Sequence, residues 1–379
     1  MKILLISPIA IPTDPLLKYG GIERVVLALD RSFQEQGYDV FVAAPADSNP
    51  YGNLVPTITE SQGVGDHPKA YEKHIELSLQ FALQENIDII HDHTGNLPLS
   101  KTFKRKLKSI QELREIPIVS TPHEWQRFKR YGLPKDRSNI FFTTLSECQR
   151  ARFEGFIPIT KVINNGVSVE EYPFNPEKED YLFSIGSIES DKGQDLAVKV
   201  SEKTGIPIRL AGNIADQEFF NTMIAPSIKR GTTIYLGELD DTEKKSQYAN
   251  ACALIAPIII PDCFSLVRIE ALATGTPVIT LDTGSAREAI KHGDTGYLAN
   301  YDLGNEASAI STMAMHTKQI SEINPHNCRK DAEERFSWRK ISGQYLDLYE
   351  RIISGRITSK WNQQLWFQHL MLKNFFHKH

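Results

Sequence analysis

Residues 170–186 read "EEYPFNPEKEDYLFSIG". A polar stretch with prolines at 173 and 176 gives way to a short apolar run that ends on a glycine. The first part reads as a linker. The second reads as a strand buried on both faces. The fold turns on this point, because a pattern of apolar runs and helix-length spacers fills the chain before the linker and restarts at Tyr181 after it.

Before the linker the runs are "KILLIS" (2–7), "DVFVAA" (39–44), "DIIH" (88–91), "PIVST" (117–121), "IFFTTL" (140–145) and "KVINN" (161–165). After it they are "YLFSIG" (181–186), "PIRLAG" (207–212), "TTIYLG" (232–237), "CALIAP" (252–257) and "PVITL" (277–281). Alternation with helices predicts parallel sheets of βαβ units. A chain of 379 residues fits two domains. The expectation is α/β, with two doubly wound domains at 1–172 and 180–355, and the cleft between them is the default ligand site.

The formal net charge of −4 gives no global pull toward nucleic acid. Cys148, Cys252, Cys263 and Cys328 have no metal-like spacing, which predicts a reduced, cytoplasmic setting. "MKILLISP" reads as a first strand and not a signal peptide. No apolar run reaches the roughly 18 residues of a membrane span. The tail "GRITSKWNQQLWFQHLMLKNFFHKH" (355–379) has no acid and many aromatics. It reads as an amphipathic helix (356–379) packing back on the first domain, with docking to an anionic membrane or a partner as the second reading. Lys101, Lys104, Arg105, Lys106 and Lys108 form one basic cluster. Arg127, Lys129, Arg130, Lys135 and Arg137, interleaved with Trp125, Phe128 and Tyr131, form another. Each reads first as a solvated face and second as a surface for an anionic acceptor or the inner face of a membrane.

Chemistry concentrates in "PDCFSLVRIEALATGTP" (261–277). Ser265 is placed to N-cap a helix whose apolar face is Leu266, Ile269 and Ala273. Gly275 and Pro277 end it. Its free first-turn N–H groups form a ready phosphate site. Asp262 lies in the loop ahead, and Glu270 one turn inside, beside the apolar stripe. An acid there needs hydrogen-bond donors to offset burial. Ribose hydroxyls would serve, and so would a buried ion pair, with Arg287 as one partner. In "KYGGIERVVLAL" (18–29) Gly20 and Gly21 let backbone approach a ligand, although a flexible loop start reads the same way. In "IGSIESDKGQDL" (185–196) Lys192 beside Gly193 could hold a diphosphate or be a plain surface lysine. Neither the dinucleotide fingerprint nor the P-loop pattern is present there, which argues against a nicotinamide enzyme and a P-loop NTPase. "IIHDHTG" (89–95) and "TPHEWQRF" (121–128) place His91, His93 and His123 at strand ends. No third ligand at suitable spacing accompanies the first two, so no metal site is expected. Asp240 and Asp241 read as a solvated turn ahead of a divalent-ion site.

The order "GGIE", "IIHDH", "TPHE", "LSECQR", "INNGV", "IGSIESDKG", "YLGEL", "CFSLVRIEALATGTPVI", "GSAREAI" resembles that of the family-4 retaining glycosyltransferases of GT-B fold. The resemblance runs from "KILLIS" to "RFSWRKISGQYLDLYE" (335–350). It implies two Rossmann-like domains facing across a cleft. It implies that Asp262, the first acid of an acid-x7-acid motif, meets hydroxyls of the donor sugar, and that Glu270, the second, binds the nucleotide ribose. It gives the backbone of Phe264, Ser265, Leu266 and Val267 to sugar and diphosphate, Lys192 to the diphosphate, and Gly20 and Gly21 to the phosphates. His123 takes the sugar's C6 hydroxyl near the reacting centre, and Gly237 to Leu239 the base. The family usually has Glu where Asp262 stands, and commonly an Arg where this chain has Ser187. The second departure puts more weight on Lys192, with Arg268 and Arg209 as possible substitutes.

The resemblance implies transfer of a hexose with retention from a nucleotide sugar to a hydroxyl of a saccharide or lipid-linked acceptor, without metal or other cofactor. UDP-glucose is favoured on family frequency. The catalytic set is His123, Asp262 and Lys192. The other readings are a nucleotide-sugar epimerase of the same fold and a non-catalytic nucleotide-sugar-binding module.

Overall fold

The computed structural model describes residues 1–16, 20–123, 139–155, 157–302 and 304–359. The chain divides into two compact units, one of Met1–Asn164 with the described residues from Ile341 onward, the other of Asn165–Lys340. Sequence reading had placed the divisions at 172–180 and 355. The linker stretch is tied to the second unit instead. Asn175 N donates to Thr274 O at 3.2 Å, and Lys178 Nζ donates to Ala249 O and Thr276 Oγ1, both at 2.8 Å.

The first unit holds a seven-stranded sheet in the order β3-β2-β1-β4-β5-β6-β7. Its strands are β1 (Lys2–Ile6), β2 (Asp39–Pro45), β3 (Asn53–Ile58), β4 (Ile89–Asp92), β5 (Ile118–Ser120), β6 (Ile140–Thr144) and β7 (Ile159–Val162). Every pairing is parallel. Helices on both faces bury the central strands completely, which is why Ile3 through Ile6 read as one apolar run. β3 escaped the sequence reading because Pro56 interrupts it. It pairs with β2 alone, and an edge is where a strand tolerates a residue that cannot donate.

The helix Trp338–Ile353 returns to this first unit from Ile341 onward. Ile341, Tyr345, Leu348, Tyr349 and Ile352 recur at helical spacing and are all buried. Ser342 Oγ meets Ser32 Oγ at 2.8 Å, Lys161 pairs with Asp347 at 3.2 Å, and the Phe33 and Tyr349 rings pack edge-on at 5.8 Å. Most of the expected C-terminal tail, 360–379, lies outside the described residues, as does the second basic cluster. In the first cluster, the Lys101–Ser109 helix buries Phe103 and Leu107 and turns its lysines outward, Lys106 pairing with Glu76 at 3.3 Å.

The second unit holds a six-stranded parallel sheet in the order β10-β9-β8-β11-β12-β13. Its strands are β8 (Glu179–Ile185), β9 (Ile208–Ala211), β10 (Thr233–Tyr235), β11 (Ala251–Ala256), β12 (Val278–Leu281) and β13 (Gly296–Ala299). Its core joins Leu182, Leu196, Leu210, Ile255 and Ile279 from neighbouring strands and helices. Among the described residues no helix is long and apolar enough to cross a membrane.

Candidate active site

In the second sheet the chain runs outward from β8 to β9 and β10, then crosses back to β11 and runs outward the other way. The crevice beyond the carboxyl ends of β8 and β11 is therefore a topological switch point, where doubly wound sheets bind ligands. The two loops that emerge there are joined, because Ile259 N donates to Asp191 O at 3.0 Å. The β8 loop carries Gly186, Ser187 and a short 3-10 turn, Ser190–Lys192. Gly193 ends that turn in the left-handed region (φ 68°), and a Cβ on it would stand 2.2 Å from Pro257 O. Glycine is thus required where the two loops touch. Lys192 is half exposed, its nearest acid Glu189 at 4.0 Å, and so reaches outward. Ser187, which stands where the family commonly has Arg, bonds Asn213 Oδ1 at 3.1 Å.

The β11 loop leads through Asp262 and Phe264 into the helix Leu266–Ala273. Ser265 occupies the N-cap position, but its hydroxyl makes no capping bond. Ile269 and Ala273 are fully buried as the spacing requires. Glu270 is buried too, and its offsetting partners are Lys244 Nζ at 3.4 Å and the Tyr248 hydroxyl at 2.9 Å. Both come from the helix Asp241–Asn250. Arg287, the partner considered from sequence, pairs with Asp282 instead. Glu270 therefore has an ion pair already in place. Asp262 is held as well, by Arg268 Nη1 at 2.9 Å and Ser285 Oγ at 2.7 Å. Arg268 and Arg209 are both engaged: Arg268 is fully buried against Asp262, and Arg209 stacks on Tyr181 at 3.7 Å. Lys192 is left as the outward cation of this loop pair.

Gly237 to Leu239 follow β10 at the same edge of the sheet, and Gly237 O accepts from Gly212 N at 2.8 Å. Asp240 then caps the next helix in a reciprocal capping box with Glu243, and Asp241 pairs with Lys244 at 3.2 Å. The Asp240-Asp241 pair is a helix start. Among the described residues no group of three side chains is placed to hold a metal ion.

The first unit gathers a different chemistry at the ends of β4 and β5. His91 and His93 lie two residues apart on one face, their rings 3.9 Å apart, and the His123 ring is 5.9 Å from that of His93. Tyr349 from the last helix reaches His91 Nδ1 at 2.5 Å, and His91 Nε2 meets Thr121 Oγ1 at 2.7 Å. Burial pushes the Tyr349 hydroxyl well above its ordinary value, so the phenol keeps its proton beside the ring. Thr121 Oγ1 in turn meets Thr143 Oγ1 at 2.5 Å. Burial pushes His91 down to about 3 and His123 to about 4, and holds His93 well below the usual imidazole range. All three rings are neutral at pH 7. His93 is fully buried, and neither of its nitrogens has a hydrogen-bond partner among the described residues. In the glycine loop Gly20 (φ 129°) caps the helix Gly21–Glu35. Burial raises Glu23 in its first turn, countered in part by a backbone hydrogen bond.

Several supporting residues went unread in the sequence: Lys244 and Tyr248 behind Glu270, Arg268 and Ser285 behind Asp262, and the tyrosines behind His91. Only Arg268 carried a local signal, a cation inside the apolar helix "LVRIEALA". A polar cavity of about 630 Å³ beyond β12 and β13, lined by Asp282, His292, Asp302 and His316, also has no sequence signature.

Two family models match adjoining parts of the chain: Glycosyltransferase Family 4 over residues 19–171 and Glycosyl transferases group 1 over 170–333. A phosphatidyl-myo-inositol mannosyltransferase of Mycobacterium leprae is 22% identical over 375 residues, covering 89% of this chain and 94% of the relative. A glycosyltransferase involved in avilamycin A biosynthesis superposes with a TM-score of 0.71 at 22% identity, over 95% of this chain and 99% of that one. An Anabaena protein in complex with UDP and glucose superposes with a TM-score of 0.70 at 18% identity, over 92% of this chain and 99% of that one.

Proposed function

We propose that this chain, which belongs to the family-4 glycosyltransferases of GT-B fold, moves a hexose from a nucleoside diphosphate sugar to a hydroxyl of a saccharide or lipid-linked saccharide, with retention at the anomeric carbon. One observation carries the reading. The joined loops after β8 and β11 set an outward lysine, Lys192, and a helix start flanked by Asp262 and Glu270 at the switch point of one sheet. A diphosphate needs cationic and N–H donors, and Lys192 with the amides of Phe264 to Val267 would supply both without a metal ion. A ribose needs acceptors for its hydroxyls, and the Glu270 carboxylate is such an acceptor. Asp262 would orient the sugar. Gly20, Gly21, Gly237, Leu239 and His123 enter the proposal through the family resemblance.

The chemistry is departure of the diphosphate from an oxocarbenium-like sugar. The acceptor hydroxyl attacks on the face the diphosphate leaves, and a leaving phosphate oxygen takes its proton. Retention then requires no protein nucleophile. Glucose from UDP-glucose is the favoured donor, consistent with the UDP and glucose held by the Anabaena structure. Mannose is the second reading, since the Mycobacterium leprae relative, matched over nearly its whole length, is a mannosyltransferase.

The test is incubation with UDP-glucose, UDP-galactose and GDP-mannose, with and without chelator. Slow release of nucleotide and free sugar, unchanged by chelator and lost in Lys192→Ala, is the expected outcome. An isomerised sugar nucleotide would establish an epimerase. Tight binding with no turnover, even with saccharide acceptors, would establish a binding module.

A further inference from the structure

We propose that Arg268 is a positioning residue for sugar recognition. It acts through Asp262 and fits this site to an aspartate where the family usually has a glutamate. The inference rests on the sugar-nucleotide reading of the Asp262 site.

Burial separates the roles of the two side chains. The Arg268 side chain is 0% exposed and that of Asp262 keeps 17% of its surface. Arg268 therefore cannot touch a ligand, whereas Asp262 can. Asp262 is the one carboxylate within ion-pair distance of Arg268 among the described residues. A buried guanidinium without a counter-charge is costly, so this pairing is strongly enforced. Arg268 Nη1 donates to Asp262 Oδ2 at 2.9 Å and to Ser285 Oγ at 3.3 Å. Ser285 Oγ and N donate to Oδ1 at 2.7 and 3.2 Å. Oδ1 is thereby filled, and Oδ2 keeps one acceptor position. The result is a carboxylate fixed in rotation, with one lone pair directed by the protein and available to a sugar hydroxyl. Such fixing before the ligand arrives removes the ordering cost of binding.

The short arm follows from the clamp. Arg268 and Ser285 grip a carboxylate one methylene from the backbone Cα. A glutamate at 262 would carry its carboxylate past both groups. It would then either lose the clamp or intrude on the sugar's space, and Arg268 would be left buried and unpaired. The aspartate and the buried arginine are thus two halves of one adaptation.

Binding of UDP-glucose and of UDP, measured by titration calorimetry on the full chain, tests this. Restoring the family's usual residue with Asp262→Glu is expected to weaken UDP-glucose by about tenfold or more while UDP changes less than about twofold. Arg268→Met is expected to show the same split, with Arg268→Lys between it and the wild type. The double variant Asp262→Glu with Arg268→Met is expected to bind UDP-glucose better than Asp262→Glu alone, because the stranded cation is gone. Thermal midpoints show which variants fold, and if the Arg268 variants do not, Asp262→Glu alone decides. Wild-type affinity in Asp262→Glu, or equal loss of UDP and UDP-glucose in Arg268→Met, would overturn the proposal. Wild-type protein that binds none of UDP-glucose, UDP-galactose and GDP-mannose would overturn the reading of function and this inference with it.

Discussion

The two units accommodate buried polar side chains in opposite ways. The second unit buries ions and compensates each one: Glu270 with Lys244 and Tyr248, Asp262 with Arg268 and Ser285. The first unit buries imidazoles and keeps them neutral, with His91 wired to Tyr349 and Thr121 and His93 without a hydrogen-bond partner among the described residues. Charge suits the half that would meet ribose and sugar hydroxyls, because a carboxylate is the strongest acceptor available to a protein. Neutrality suits a site that contributes a polar surface without adding net charge. The two strategies fail differently when disturbed, which makes the contrast measurable.

The largest effect is expected where an ion is stranded. Glu270→Ala leaves Lys244 buried, with Asp241 at 3.2 Å as a remaining counter-charge, and removes an acceptor from the hydroxyl of the fully buried Tyr248. Removing one partner of a buried pair costs about 3–5 kcal/mol, and the second acid places this case near the lower figure. Urea unfolding measures it. Glu270→Gln, which keeps a partner for Tyr248, should lose less. A Glu270→Ala protein as stable as the wild type would mean that the second unit does not depend on its pairing.

The histidine cluster should show itself in acid. An imidazole held neutral in the fold takes up a proton in the unfolded chain near the ordinary value of about 6.5. Its stabilising preference is full above that pH and is lost progressively as pH falls toward the folded value. For His91 that value is about 3. Between the two, one such histidine costs about 1.4 kcal/mol per pH unit, or about 2 kcal/mol by pH 5. His91→Gln should therefore flatten the acid limb of the stability profile by about that amount between pH 6.5 and 5. A profile with the wild-type slope would show that the imidazole is not held neutral by the fold.

The same contrast explains what the sequence could disclose. Interior strands such as β1, β8 and β11 are buried on both faces, and an unbroken apolar run announces them. Of the four edge strands, β10 has such a run in "TTIYLG", but the other three show it poorly or not at all. β3 hides behind Pro56, β13 is only four residues long, and β7 starts two residues before the run that pointed to it. In the site, Asp262, Glu270 and Lys192 were legible because a helix start after a strand is a local pattern. Their partners were not, because Lys244 is 26 residues from Glu270 and Ser285 is 23 from Asp262. Hydrophobic periodicity does not report pairings made by tertiary packing. The return of the last helix at Ile341 was missed for the same reason. Its apolar spacing was visible, but not which unit it served.

The smallest effects separate the two glycine loops. Gly193 is demanded by the fold: its φ is 68° and a Cβ would meet Pro257 O at 2.2 Å. Gly193→Ala should cost about 1–3 kcal/mol and displace the loop that carries Lys192. Gly21 is not demanded by the fold. Among the described residues a Cβ there meets nothing within 4 Å, and its φ is not positive. Since alanine is the better helix former, Gly21→Ala should leave stability within about 0.5 kcal/mol of wild type, or raise it slightly. Under the proposed function, in which phosphates approach this glycine, its consequence should appear in turnover alone. Thermal unfolding and sugar-nucleotide hydrolysis on the same two variants decide the matter. Lost stability in Gly21→Ala would give this glycine a structural role. Unchanged stability with unchanged turnover would remove it from the phosphate site, leaving Lys192 and the helix start of the second unit to hold the diphosphate.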